Sequence, residues 1–291
     1  MSHIKTIGLG TISGTIANMV ALAAGIITVP LLVRALGTDA YGLLGVVSSL
    51  VGFVGMADLG LTSTIMNAIS YAKARDDHSA ISRLYSGGLL LYMPLMLFLI
   101  GLAALVVYAP WFSLEKLLNI PPVFEEVAQL AILVMLAYTM MNAFWGGVVK
   151  AVYHGVNEVV VYNAIQTTYN VAFALAFIAY LLWGHVTVLG VALMQGGGAV
   201  VRLIIQHVIA RVRYRWLSFV LSTESVHAVR PLLKYSAVLF FATAATAILE
   251  RSDNIVIAHF LGLATVAVYS LAYKLFYLPS AMLPIVTASA P

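Results

Sequence analysis

Uncharged apolar runs alternate with short polar turns along this chain, and the runs have the length of membrane spans. A spanning helix needs about 20 mostly apolar residues. No charged residue occurs between Lys5 and Arg34, which predicts a first span over roughly 7–33. A second, over roughly 42–67, carries a single acid, Asp58. The polar segment KARDDHSAISR (73–83) precedes a third span, about 84–109. Residues 110–126, rich in Pro and aromatics, suit an interfacial loop before a fourth span, about 127–149. No Asp, Glu, Lys or Arg falls between Val159 and Val201, which leaves room for a fifth span (about 163–182) and a sixth (about 188–209) turning at Trp183-Gly184-His185. A basic connector, 211–234, leads to a seventh (about 235–258) and an eighth (about 266–291). The pattern predicts an all-α fold, a polytopic membrane bundle of about eight transmembrane helices.

Composition agrees. The chain is 62% hydrophobic and 9% charged, against roughly 25% charged in soluble domains, so lipid is the solvent that suits it. With no cysteine there is no disulfide framework and no thiolate metal site. A net charge of +4 would suggest nucleic acid in a soluble protein, but its distribution gives another reason. With the N-terminus inside, the inner loops hold Lys5, Lys73, Arg75, Arg83, Lys150, Arg211, Arg213, Arg215, Arg230 and Lys234, and the outer loops only Arg34 and Lys116. That asymmetry satisfies the positive-inside rule and predicts a cytoplasmic N-terminus. A cleaved signal peptide ending at Ala21-Leu22-Ala23 fits less well, because the apolar run continues to Val33.

A turn near the start echoes near the end: Leu36-Gly37 followed by Tyr41-Gly42 returns as Leu261-Gly262 followed by Tyr269-Ser270. Together with Ala57-Asp58-Leu59-Gly60-Leu61 and the run from Asp253 through Leu275, these residues resemble the Wzx-type polysaccharide flippases of the MOP exporter superfamily. The resemblance implies six-helix lobes that rock about a central cavity. It divides the chain into a first lobe (1–210), a cytoplasmic connector (211–234) and the start of a second lobe (235–291). The chain ends within an apolar run, so a fragment of a longer transporter is expected.

Charge inside a span costs about 2.5–3.5 kcal/mol at the helix centre, so intramembrane ionisable residues are the candidate sites. Asp58 is either a protonatable or cation-binding carboxylate facing a cavity, or an interfacial acid pairing with 73–83. Glu250, Arg251 and Asp253, with Asn254, form the densest polar cluster within a span. Glu250, Asp253 and Asn254 share a helix face at i, i+3, i+4, and Arg251 lies on another. Lys274 falls close to the midplane, ahead of Pro279 and Pro284. It either lines a cavity, where it could hold a phosphate as a point charge, or pairs with the acids of the seventh span.

Asn18 sits in a stripe of small and polar residues (Gly10, Gly14, Asn18, Ala21, Gly25) whose GxxxG at 10–14 suits close helix packing. Within that stripe, Asn18 is the residue placed to reach a cavity. Arg202 reads as a snorkelling side chain near the cytoplasmic end and Lys150 as a topological anchor. Gly196-Gly197-Gly198 reads equally as a flex point or a close-packing site. Asp76-Asp77-His78 lies in a solvated loop without metal-ligand spacing. No P-loop or paired catalytic constellation occurs, so no catalytic, cofactor or metal site is expected and the chain reads as a non-enzyme.

The resemblance implies a transporter of the bacterial inner membrane that flips a polyprenyl-pyrophosphate-linked oligosaccharide between leaflets, with H+ or Na+ as a possible coupling ion. A multidrug exporter of the same superfamily is the alternative, and would favour acids over bases in its cavity. A membrane-embedded polysaccharide polymerase is a third reading, set back by the short outer loop at 110–126.

Overall fold

The computed structural model describes residues 3–54, 60–109, 121–273 and 276, with backbone alone at 3–11 and over parts of 234–251. Among the described residues ten α-helices follow one another without a strand: α1 (His3–Leu36), α2 (Thr38–Val54), α3 (Leu61–Ala74), α4 (His78–Val107), α5 (Glu125–Gly155), α6 (Val159–Trp183), α7 (Val188–Arg213), α8 (Thr223–Val229), α9 (Leu232–Leu261) and α10 (Leu263–Tyr273). Of these, α1, α4, α5, α6 and α7 are long and apolar enough to cross a membrane. Leu97, Phe98, Leu105, Leu175 and Ile204 point outward from the bundle, as lipid-facing side chains should. The protein is a multi-pass membrane protein.

The second predicted span, 42–67, is not one helix. It is divided between α2 and α3, and Gly60 stands before α3 with φ +69°, a left-handed backbone that glycine adopts without steric cost.

The two Leu-Gly turns are equivalent in backbone. Gly37 and Gly262 both have φ +81°. The Gly37 N–H donates to Val33 O and the Gly262 N–H to Ala258 O, while the glycine carbonyls accept from Tyr41 and Val266. By this register Tyr41 corresponds to Val266, so the echo of Tyr41 in Tyr269 is a coincidence of composition. The turns also meet. A Cβ on Gly42 would stand 1.9 Å from the carbonyl oxygen of Leu263, so only glycine lets α2 and α10 approach this closely.

Helix α5 is the hub, packing against α2, α3, α4 and α7. Its Phe144, Val148, Val152 and Tyr153 are buried, and Phe144 stacks on Tyr92 of α4 with centroids 4.6 Å apart. Helix α1 packs along α6, and a cleft separates that pair from α5 and α7. The glycine triplet of α7 does not interrupt the helix. At Gly198 a Cβ would fall 2.3 Å from the Phe173 ring, so close packing on α6 accounts for that glycine.

The connector is strapped to α4. Ser82 donates to Trp216 O (3.1 Å) and accepts from the Ser218 N–H (3.3 Å). One turn on, Ser86 accepts from the Val220 N–H (2.9 Å), and its hydroxyl hydrogen is shared between Ser82 O (2.7 Å) and Ser218 O (3.2 Å). Two serines at i, i+4 thus satisfy four backbone groups that an extended segment on a helix surface would otherwise leave unpaired. Asp77 caps α4, accepting from Ser79 Oγ and the Ala80 N–H, and these bonds hold its carboxyl below the usual range. His78 stacks on Trp216 of the strap at 4.6 Å. The Asp-Asp-His sequence is therefore a helix start and a docking point.

Candidate functional site

The cleft between the α1–α6 pair and α5–α7 widens into a cavity of about 740 Å³, within the range of ligand pockets. Asn18 lies in its wall beside Gly14, Ala17 and Ala21 of α1. The small residues let α1 stand near α6: a Cβ on Gly14 would touch the Asn163 amide at 3.4 Å, and that amide donates to Ser13 Oγ at 3.0 Å. From α6 come Asn163, Gln166 and Asn170, an amide stripe at i, i+3, i+7 on a helix without charged residues. Gln166 donates to Asn170 (3.1 Å) and accepts from Gln206 of α7 (3.2 Å), which ties α6 to α7.

Two cations complete the wall. Lys150, with His154 one turn on, projects from the end of α5. Arg202 projects from α7, where its guanidinium donates to Asn142 Oδ1 of α5 and lies 5.9 Å from the centre of the Tyr169 ring, a cation–π distance. Arg202 Nε and His154 Nε2 are buried without a hydrogen-bond partner among the described residues. The described lining contains no Asp or Glu, so the cavity is an array of amides around two positive charges. Its charge suits an anion, and the guanidinium offers planar donors matched to phosphate or carboxylate oxygens.

Arg202 and Lys150 correct the sequence expectations. Asn142 and Tyr169 hold the Arg202 side chain at the cavity wall. Lys150 stands at the cavity and not only at a membrane boundary. The amide stripe of α6 is the signal that would have located this wall, because three amides at helical spacing on one face of a span require a polar neighbour.

Asp253 and Asn254 lie apart from it. Asp253 accepts from the Tyr269 hydroxyl, joining α9 to α10. Its neighbour Asn254 donates to Ser49 of α2 (2.9 Å) and accepts from Ser270 of α10 (3.3 Å). Asn254, Ser49, Ser270 and Tyr269, with Gln195 of α7, border a second cavity of about 280 Å³, whose lining does not include Asp253. Asp58 and Lys274 lie outside the described residues, as do the side chains of Glu250 and Arg251.

Residues 7–291 match the profile of the polysaccharide biosynthesis protein family. No curated protein matches the chain. Among solved structures it is similar to an outward-facing multidrug resistance MATE family transporter of the MOP superfamily, at 16% identity and TM-score 0.66, covering 96% of this chain and 62% of that one. It is similar to a MATE protein in complex with MaD3S, at 16% identity and TM-score 0.67, covering 97% and 63%. A third likeness is to a MOP superfamily transporter from Pyrococcus furiosus whose binding pocket is described as having reverse polarity, suggesting a different function; identity is 16%, TM-score 0.60, and coverage 97% and 68%. At such identity the likeness is one of fold, and the chain spans less than two thirds of the first two structures' length.

Proposed function

The chain belongs to the polysaccharide biosynthesis protein family, and on that footing we propose that it is part of a carrier that moves an anionic, lipid-linked saccharide across the bacterial inner membrane by alternating access. The observation that carries this reading is the cavity lined by Lys150 and Arg202 with no carboxylate in its described wall. A polyprenyl-pyrophosphate head group brings clustered negative charge, and the amides of α1 and α6 are donors and acceptors for sugar hydroxyls. A multidrug exporter of cationic compounds would need the opposite polarity.

In this reading residues 1–210 form a first lobe, 211–234 the connector, and 235–291 belong to a second lobe. The matching backbone at Gly37 and Gly262 supports that division. The basic inner loops support a cytoplasmic N-terminus. Coupling to H+ or Na+ belongs to the same proposal, with Asp58 and Asp253 as the carboxylates to test. The protein acts as a carrier and not as an enzyme.

The test is ligand-induced stabilisation of the purified protein. A ligand of the folded state at 100 times its Kd adds about 2.7 kcal/mol. A short-chain prenyl pyrophosphate should raise the melting temperature and a lipophilic quaternary ammonium should not. The reverse preference would assign the chain to the exporters.

A further inference from the structure

A second opening lies between α4 and α7, at the end of the bundle where the connector runs. It encloses about 430 Å³ and shares no lining residue with the cation-lined cavity. Leu89, Leu90 and Met93 of α4 face His207 and Arg211 of α7, with Trp145 of α5 between them. The apolar wall continues outward, since Leu90, Met93 and Leu97 are spaced i, i+3, i+7 and both Met93 and Leu97 are exposed. Ile204 and Val208 run the same way along α7 and are also exposed. The slot is thus open sideways to lipid, with its apolar part leading away from the connector.

Its other end is polar and built. His207 Nδ1 accepts from Trp145 Nε1 (3.4 Å) and lies at hydrogen-bond distance, 3.1 Å, from the Tyr85 hydroxyl, so three helices are joined around one imidazole. Phe219 forms the rim, held there by the bonds that Ser86 makes to Ser218 and Val220 on either side of it. Arg211 stands at this rim. It forms no ion pair among the described residues, and the lining holds no carboxylate.

We propose that this slot binds one anionic phospholipid of the leaflet bordering the connector. The head-group phosphate lies on Arg211, and one acyl chain runs between Leu90 and Met93 of α4 and the apolar face of α7, over Trp145. An apolar trough open to lipid selects an acyl chain and not a soluble anion. A lone guanidinium at its polar end, without an acid to neutralise it, selects a head group of negative charge. Water-soluble phosphate has no use for the trough, and a neutral lipid leaves the cation uncompensated.

Trp145 reports on the slot directly. The protein is reconstituted in phosphatidylcholine vesicles containing either chain-brominated phosphatidylglycerol or chain-brominated phosphatidylcholine, and the Trp145 signal is taken as the difference from Trp145→Phe. Half-quenching should need about fivefold less brominated phosphatidylglycerol than brominated phosphatidylcholine, the factor expected for one basic residue at an anionic head group. Arg211→Gln should abolish that preference, Arg211→Lys should keep part of it, and Arg215→Gln should leave it intact. Met93→Phe, which fills the trough and keeps the charge, should reduce quenching by both lipids, an independent reading should Arg211→Gln fail to fold. Equal quenching by the two lipids, quenching by neither, or a preference unchanged in Arg211→Gln would overturn the proposal.

Discussion

Arg202 of α7 donates a hydrogen bond to Oδ1 of Asn142 on α5, within the α5–α7 wall of the cavity that faces α1 and α6. Residue 202 stands 11 residues before the end of α7 at Arg213, about 16 Å at 1.5 Å per residue. At that depth a guanidinium is kept only where partners inside the protein hold it. Asn142→Leu should therefore destabilise the folded protein by about 1 kcal/mol, the net contribution of one hydrogen bond. Arg202→Leu in that background should recover part of the loss, because no orphaned charge remains. Melting temperatures of the two single variants and the double variant give the coupling; additive losses would show that the two side chains do not depend on each other.

At Gly42 the account predicts a steric effect. A methyl group there meets the Leu263 carbonyl, a backbone atom that cannot rotate away. Gly42→Ala should cost about 1–3 kcal/mol or more. Gly101→Ala, where a Cβ meets nothing within 4 Å, should be neutral or slightly stabilising. Thermal unfolding in detergent distinguishes them, and equal melting temperatures would mean that α2 and α10 do not touch at this point.

The turn glycines separate backbone strain from crowding. A Cβ on Gly37 or Gly262 meets nothing within 4 Å, yet φ is +81° at both. Gly37→Val should then cost more than Gly37→Asn, because asparagine visits the left-handed region and β-branched residues do not. The same order should hold at Gly262. If valine and asparagine are equally tolerated at both positions, the turns are not held in this conformation.

Those turns also show what the sequence could and could not convey. Apolar runs bounded by polar turns located α1, α4, α5, α6, α7 and α9, because a span must be mostly apolar along its length. The split between α2 and α3 escaped the same reasoning, since composition stays apolar through Val51–Val54 and Leu61. The Leu-Gly echo was legible as a repeat, but its register was not: residue identity pointed to Tyr269, whereas the hydrogen bond to the glycine carbonyl is made by Val266. The cavity was the hardest part to read. Asn18 could be picked out on α1, but Arg202 and Lys150 resembled membrane-boundary cations, because linear position does not say which neighbour will accept a donor. Only the packing of α5 against α7 puts Asn142 within reach of Arg202.

The serine strap makes a prediction about the connector. Removing both hydroxyls leaves the backbone groups of Trp216, Ser218 and Val220 without their α4 partners. Ser82→Ala with Ser86→Ala should release the segment and speed trypsin cleavage after Arg213 and Arg215, while α4 itself stays helical. Protection equal to that of the unaltered protein would show that packing of α8 on Gly87, where Ser225 O lies 2.0 Å from a Cβ position, holds the connector without the serines.

The central claim is that the cavity binds an anion through Lys150 and Arg202. The direct measurement is the affinity of a short-chain prenyl pyrophosphate for the purified protein and for Arg202→Ala, Arg202→Lys and Lys150→Ala, each checked for folding by circular dichroism. Loss of one partner of a buried charge pair costs about 2–5 kcal/mol, so Arg202→Ala should weaken binding by about 30-fold or more. Lysine keeps the charge but not the planar donors, so Arg202→Lys should fall between, and Lys150→Ala should weaken binding less because that side chain is more exposed. Unchanged affinity in both alanine variants would contradict the account.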